Sequence, residues 1–136
     1  MSNFNKMEMK SIKLPLAVET ELKKVSKVAR YLWQREWAER NAGNISINLT
    51  SFFTKEEVQG IGKEVPFDFP EGLGGFVIYI TGTGCYLRDL VDQIEDVSCI
   101  LYINENADAY SVIWGGKRDD FAPTCELISH SSIHLY

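Results

Sequence analysis

The sequence predicts an α/β layered domain whose sheet is not purely parallel. Helical and strand-like segments alternate along the chain, and two apolar segments, residues 99–103 and 110–114, flank a polar stretch of hairpin length. Because such short connections join antiparallel strands, these two segments should pair with each other. A third apolar segment, residues 76–80, has the composition of a strand that is buried on both faces. We therefore expect a sheet with helices packed against it.

The first predicted element is an amphipathic helix over residues 19–35, with Thr20 as its N-cap. Its apolar residues recur at steps of three and four, as on one face of a helix. They are Leu22, Val25, Val28, Ala29, Leu32 and Trp33. Residues 41–43 interrupt the pattern, and alternating apolar residues then predict a strand over residues 44–49. A short helix over residues 54–59, followed by loops, leads to the strand at residues 76–80.

Two more helices are predicted in the second half of the chain. One covers residues 87–94, and the other runs from residue 125 to the end, after Pro123 and with Thr124 as its cap. Residues 1–18 are expected to be a loose lead-in, and residues 19–136 a single domain unit. A length of 136 residues with 45% hydrophobic content suits one ordinary core.

Charge and composition exclude several classes of partner. The chain has 14 basic and 19 acidic residues, a formal net charge of -5, which argues against nucleic acid or an anionic membrane as the main partner. No stretch approaches the roughly 20 apolar residues that a membrane span needs. Three cysteines without a Cys-x-x-Cys pair, and no recognisable signal peptide, favour a reducing compartment. We expect a cytoplasmic protein.

Three turns carry the chemistry that holds a phosphate. They are Asn-Ala-Gly-Asn at residues 41–44, Thr-Gly-Thr-Gly at residues 81–84 and Pro-Thr-Cys-Glu at residues 123–126. Backbone N–H groups that glycine leaves accessible, side-chain amides, and hydroxyl groups at the start of a helix can bind a phosphate without lysine or arginine. Each turn alone is more often only a turn, so the hypothesis requires that the fold brings the three together. The dinucleotide fingerprint fails, because Leu87 stands where its third glycine belongs, and no P-loop is present.

Individual side chains allow more than one interpretation. Glu126 lies in the first turn of the last predicted helix, where an acidic residue usually serves only the helix dipole. His130 and His134 have the spacing of two ligands on one helix face, but two ligands rarely suffice for a metal site. Cys125 fits a small residue in a tight turn better than a nucleophile. The tryptophans, Trp114 among them, suit a core or an interface, because no basic stripe accompanies them.

The segments around these turns resemble the rhamnulose-1-phosphate aldolases of the class II aldolase and adducin superfamily. The matching segments are Tyr-Leu-Trp-Gln-Arg-Glu-Trp-Ala-Glu-Arg-Asn-Ala-Gly-Asn-Ile-Ser at residues 31–46 and Ile-Thr-Gly-Thr-Gly-x-Tyr-x-Arg at residues 80–88. Trp-Gly at residues 114–115 and Pro-Thr-Cys-Glu-Leu-x-x-His at residues 123–130 complete the order. The resemblance covers roughly residue 19 to the end. It implies a three-layer α/β/α fold with a mixed, largely antiparallel sheet, truncated to its N-terminal half.

The resemblance also implies roles for single residues. Glu126 matches the catalytic acid/base for the dihydroxyacetone phosphate half of the substrate. Residues that match the phosphate and substrate site are Asn41, Gly43, Asn44, Thr83, Gly84, Thr124 and Cys125. Cys125 replaces the usual serine and so weakens one hydrogen-bond donor, and Cys85 stands where relatives often carry lysine.

The activity implied by the resemblance is that of a zinc-dependent lyase. Such an enzyme cleaves L-rhamnulose 1-phosphate to dihydroxyacetone phosphate and L-lactaldehyde in rhamnose catabolism, and its relatives are homotetramers. The family holds zinc with a His-x-His pair and a third histidine, all downstream of the segments matched here. We therefore expect no metal ligand and no cofactor in this chain alone, and no aldolase activity from it. It would be an N-terminal portion, expressed as such or left by a truncated reading frame.

Two alternatives stay open at this stage. The chain could be a non-catalytic binding module of the adducin type, which binds a phosphorylated ligand or a protein partner. It could instead belong to a fuculose-phosphate aldolase or a pentulose-phosphate epimerase. The Trp-x-Glu-Arg-Asn block at residues 37–41 favours the rhamnulose branch over this second alternative. In each enzyme reading the partner is a phosphorylated ketose or dihydroxyacetone phosphate, together with other copies of the chain.

Overall fold

The computed structural model of the protein describes residues 13–32, 45–82, 86–117, 121 and 123, with only the backbone described at residues 32, 87 and 88. The helices are α1 (Leu16–Leu32), α2 (Lys55–Val58), α3 (Leu87–Asp92) and α4 (Ile94–Val97), with a 3-10 turn at Thr50–Phe52. The strands are β1 (Ser46–Asn48), β2 (Glu64–Pro66), β3 (Val77–Thr81), β4 (Ser98–Ile103) and β5 (Ala109–Gly115).

The strands form one five-stranded sheet in the order β1-β3-β4-β5-β2. Each of these pairings is antiparallel, which was the sense expected to dominate. The predicted hairpin is confirmed, because β4 pairs with β5 with Ile103 opposite Tyr110. β2 was not predicted, since its stretch has the composition of a loop. It lies at the edge of the sheet, where Pro66 and its missing N–H can be accommodated.

Helix α1 begins three residues before the predicted start. The carbonyl of Pro15 accepts bonds from the amides of Val18 and Glu19 at 3.0 and 3.1 Å, so the first turn forms directly after the proline. The prediction of Thr20 as N-cap is therefore wrong. Its hydroxyl lies inside the helix and donates to the Leu16 carbonyl at 3.0 Å, the bond that threonine makes in a helix interior.

The apolar face of α1 packs on the sheet. Leu22, Val25 and Ala29 are buried as predicted, and Val18 extends the stripe by one turn towards the N-terminus. Val28 was wrongly included, because 58% of its surface is exposed on the other side of the helix. The helix is also tied to α3, since the Ser26 hydroxyl donates to the Leu90 carbonyl at 2.9 Å.

The shorter predicted elements are present with altered bounds. The strand expected at residues 44–49 is β1, and the short helix expected at residues 54–59 is α2. α2 begins with a capping box, in which the Thr54 hydroxyl accepts from the Glu57 amide and the Glu57 carboxylate accepts from the Thr54 amide. The helix expected at residues 87–94 is divided into α3 and α4. The helix predicted from residue 125 lies outside the described residues.

The sheet separates two apolar clusters. Alternate residues of β3 and β4 point to opposite faces, as the two-residue period of a strand requires. One cluster contains the stripe of α1 with Val77, Tyr79, Ile100, Tyr102 and Trp114. The other contains Ile78, Ile80, Cys99, Leu101 and Ile103 together with Phe69 and Leu73. All five residues of β3 are buried, which confirms the prediction of a strand covered on both faces.

The described residues thus form an α/β domain with an antiparallel sheet, as predicted. A bulge in β5 is the main irregularity, because Leu101 pairs with Val112 and Ile100 with Trp114, which leaves Ile113 as an extra residue. Within the described part of the chain, no helix combines the length and apolar character that membrane crossing requires.

Candidate functional site

The predicted site residues lie outside the described residues, but their neighbours do not. The residues in question are Asn41, Gly43, Asn44, Thr83, Gly84, Thr124, Cys125 and Glu126. Ile45 directly follows the first turn, Gly82 precedes Thr83 in the second, and Pro123 opens the third. The positions of these three described residues show how the ends of the turns are arranged.

Ile45, which follows the first turn, is bonded to Thr81 of the second turn, where β1 begins and β3 ends. The Thr81 amide donates to the Ile45 carbonyl at 3.1 Å, and the Ile45 amide donates to the Thr81 side-chain oxygen Oγ1 at 3.2 Å. In a regular antiparallel pair the second bond would run to a backbone carbonyl. Thr81 is fully buried, so this hydroxyl provides an acceptor inside the protein for the amide at the end of the first turn.

The second and third turns meet one residue further on. Gly82 and Pro123 form an isolated antiparallel bridge. The Gly82 amide donates to the Val97 carbonyl at 2.7 Å, which continues the β3–β4 pairing by one residue. Ile45, Thr81, Gly82 and Pro123 therefore form one continuous run of paired backbone that joins the flanks of all three turns.

An aromatic ring packs against this junction. A Cβ atom on Gly82 would lie 2.8 Å from Cε1 of Phe121, and one on Gly116 would lie 3.0 Å from Cδ2 of the same ring. Both glycines therefore allow a closer approach of the ring than any other residue would. Phe121 connects the end of β5 to the end of β3, two residues before Pro123.

The Trp-Gly pair at residues 114–115 has a structural reason. Gly115 has a φ of +78°, and a Cβ atom there would lie 2.3 Å from the Ser98 carbonyl oxygen. The next amide, that of Gly116, donates to the same oxygen at 2.8 Å. Trp114 is 7% exposed and packs in the cluster with α1, which confirms its prediction as a core residue.

The described residues offer little that could hold a metal. None of the 13–32, 45–82 and 86–117 segments, with residues 121 and 123, contains a group of three or more His, Cys, Asp or Glu residues suited to an ion. Both histidines lie outside these segments. Cys99 is fully buried in the sheet, and burial raises the pKa of its thiol far above the ordinary 9.0, which keeps it protonated. Lys117, after Gly116, forms an ion pair with Glu95.

Sequence reasoning missed two residues that organise the junction. Thr81 was assigned to a turn, although its position at the end of an otherwise hydrophobic β3 could have suggested a buried hydrogen-bonding role. Phe121 was not considered at all. Its signal is a single aromatic residue between the charged residues 117–120 and Pro123, which is unusual for a solvated loop.

The described fold resembles that of a sugar-phosphate aldolase of known structure. The structure is similar to the crystal structure of a sugar-phosphate aldolase from Thermotoga maritima, with a TM-score of 0.63 and 25% sequence identity. The similarity covers 87% of this chain and 47% of that chain. A scan against protein-family models gives no match.

Several curated relatives that match most of this chain are named rhamnulose-1-phosphate aldolase. The rhamnulose-1-phosphate aldolase of Bacteroides thetaiotaomicron is 37% identical over 126 residues, which are 87% of this chain and 44% of the relative. That of Enterococcus faecalis is 31% identical over 115 residues, 80% of this chain and 40% of the relative. The resemblance to the rhamnulose-1-phosphate aldolases is confirmed, and the chain spans less than half the length of the curated relatives it matches.

Proposed function

We propose that this chain forms part of a lyase that cleaves L-rhamnulose 1-phosphate to dihydroxyacetone phosphate and L-lactaldehyde. We propose further that this part of the protein binds the phosphate group of the substrate. The observation that carries the proposal is the paired backbone from Ile45 through Thr81 and Gly82 to Pro123. It joins the flanks of the three turns whose chemistry suits a phosphate. Relatives named as rhamnulose-1-phosphate aldolases support the choice of sugar.

Chain connectivity makes the pocket compact. Adjacent Cα atoms are about 3.8 Å apart, so Asn44, Thr83 and Thr124 each begin next to a residue of the junction. Amides of glycine-containing turns and hydroxyl groups can then surround one phosphate, with no lysine needed. We assign this role to the side chains or backbone amides of residues 41, 43, 44, 83, 84, 124 and 125.

Glu126 would supply the proton transfer. It follows Thr124 by two residues, which would place a carboxylate beside the bound phosphate ester. A carboxylate at that point can accept and return the proton that is exchanged at the carbon next to the carbonyl of the dihydroxyacetone phosphate half. Binding and proton transfer are thus assigned to different residues of the same turn.

The zinc that the resemblance implies does not fit the described residues. They include no histidine and no suitable group of three ligands, and their one cysteine is a buried, protonated thiol. We propose that residues outside this chain hold the metal, and that the chain alone has no aldolase activity. The charge stabilisation that zinc supplies in such reactions would come from that other part of the protein.

The experiment that tests the binding role is a calorimetric titration of the 136-residue chain with dihydroxyacetone phosphate. We expect saturable binding, and none of dihydroxyacetone at the same concentrations, because the phosphate provides the contacts. Glu126→Gln should leave the affinity within about twofold, since the carboxylate is assigned to proton transfer and not to binding. Equal binding of the two ligands, or of neither, would contradict the proposal.

Assembly and location stay predictions. We propose a homo-oligomer, as the resemblance implies, in the cytoplasm, because three cysteines without a Cys-x-x-Cys pair favour a reducing compartment. Light scattering on the purified chain measures the first of these directly.

A further inference from the structure

We infer that Thr81 is a positioning residue of the proposed phosphate site, which it serves without touching the substrate. Its hydroxyl accepts from the Ile45 amide, directly after the first turn and at the start of the second. The inference rests on the proposed function, because it gives Thr81 a part in building the same pocket.

The geometry at the end of β3 shows why a hydroxyl is needed there. β1 and β3 are paired in register from Asn48 opposite Ile78 to Ser46 opposite Ile80. One residue beyond Thr81, Gly82 pairs with Pro123 in an isolated bridge, and its amide continues the β3–β4 pairing by donating to the Val97 carbonyl. The described bonds between the two segments end at Ile45, which follows residues 41–44, and at Thr81, which begins the turn at residues 81–84.

The Thr81 hydroxyl is the hydrogen-bond acceptor of the Ile45 amide. The Ile45 amide is directed at Oγ1 of Thr81, 3.2 Å away, and the Thr81 side chain is fully buried. Without the hydroxyl this part-buried amide would lose its acceptor, and such a loss is costly. The backbone at residue 45 would then turn to find another partner. Asn44 directly precedes Ile45 and shares the peptide group that carries this amide, so we expect the orientation of Asn44 to change as well.

The opposite end of the same strand pair provides a matched control. There the Val77 amide donates to Oγ1 of Thr50 at 3.0 Å, next to the Leu49–Val77 backbone bond of 2.8 Å. Thr50 therefore plays the same part for the Val77 amide, and Val77 lies four residues from Thr81 along β3, roughly 13 Å at the rise of a strand. Its hydroxyl also donates to Asn48 Oδ1 at 2.6 Å, so its removal should cost the fold at least as much.

The experiment compares Thr81→Val, Thr81→Ser and Thr50→Val in the 136-residue chain, with dihydroxyacetone phosphate and inorganic phosphate as the probes. Thr81→Val keeps the shape and removes the acceptor, and should weaken binding by about tenfold or more. Thr81→Ser retains the hydroxyl and should restore the affinity to within about twofold. Thr50→Val should lower the melting temperature but leave the affinity unchanged. Should Thr81→Val not fold, Thr81→Cys takes its place, because a thiol is a weak acceptor.

A second readout needs no ligand. Amide hydrogen exchange followed by NMR should show faster exchange of the Ile45 amide in Thr81→Val, with shifted amide resonances of Asn44 and Thr83. If the unaltered chain binds neither probe but these changes occur, the proposed function fails, and what stands is only that Thr81 orients the backbone at residues 44 and 45. Unchanged resonances overturn the inference whatever the ligand does. So does a Thr50→Val chain that loses as much affinity as Thr81→Val.

Discussion

At the scale of single residues, close backbone contacts shape the end of the sheet. Gly115 lies where a side chain would meet the carbonyl of Ser98 on the neighbouring strand, and its φ of +78° is one that other residues rarely adopt. Glycine is required here for two separate reasons, conformation and space. Gly60 shares only the first reason, because it has a φ of +75° but no atom of the described residues lies within 4 Å of the point that a Cβ would occupy.

A comparison of Gly60 with Gly115 tests whether lack of space makes a side chain costly at Gly115. Gly60→Ala should lower the free energy of unfolding by about 1–2 kcal/mol, the cost of a left-handed backbone for alanine. Gly115→Ala should cost at least about 2 kcal/mol more, because β4 and β5 must also move apart. Urea denaturation of both variants measures the difference. Equal losses would show that the sheet yields easily at Ser98.

Some residues at and near the candidate site could be predicted from the sequence, and others could not. Turn chemistry and resemblance pointed to Thr83, Thr124 and Glu126, because those signals are local. Thr81 and Phe121 act through partners that are far away in the sequence, and for Thr81 the partner is 36 residues distant. No local pattern encodes such a partner. The wrong assignment of Thr20 has a related cause, since Pro15 had already started the helix.

At the scale of elements, the extent of burial explains which predictions succeeded. α1, β3 and the β4–β5 hairpin each carry a strong hydrophobic pattern, and each was predicted. β2 has exposed residues throughout, so it has no such pattern, and only its pairing with β5 makes it a strand. The division of the predicted helix at residues 87–94 occurs at Gln93, which has non-helical dihedral angles. Glutamine is an ordinary helix residue, so the residue type at position 93 did not predict this break in the helix.

Helix α1 allows a matched test of its packing. Leu22 is 6% exposed in the cluster beneath the helix, whereas Leu16 is 76% exposed. Leu22→Ala should therefore lower the free energy of unfolding by about 2–5 kcal/mol, the cost of removing a buried leucine side chain. Leu16→Ala should change it by less than about 0.5 kcal/mol. Thermal or urea denaturation provides both numbers, and comparable losses would mean that α1 does not pack on the sheet through this face.

At the scale of the whole molecule, the separation of binding from metal chemistry has a measurable result. Added zinc should not raise the melting temperature of the chain. A metal stabilises a protein only if the folded state binds it, and no zinc site is proposed in this chain. Rhamnulose 1-phosphate with zinc should likewise release no dihydroxyacetone phosphate above a blank. A rise of several degrees that His130→Ala abolishes would reveal a metal site in this chain after all.

The route by which the three turns come together has a consequence for folding kinetics. Residues 45, 82 and 123 are far apart in the sequence, whereas the β4–β5 hairpin closes over a handful of residues. Contacts between distant segments usually form after local ones, because closing a long loop costs entropy before any contact repays it. The junction should then assemble after the rate-limiting step. A phosphate ester bound there would lengthen the lifetime of the native state and leave the refolding rate nearly unchanged.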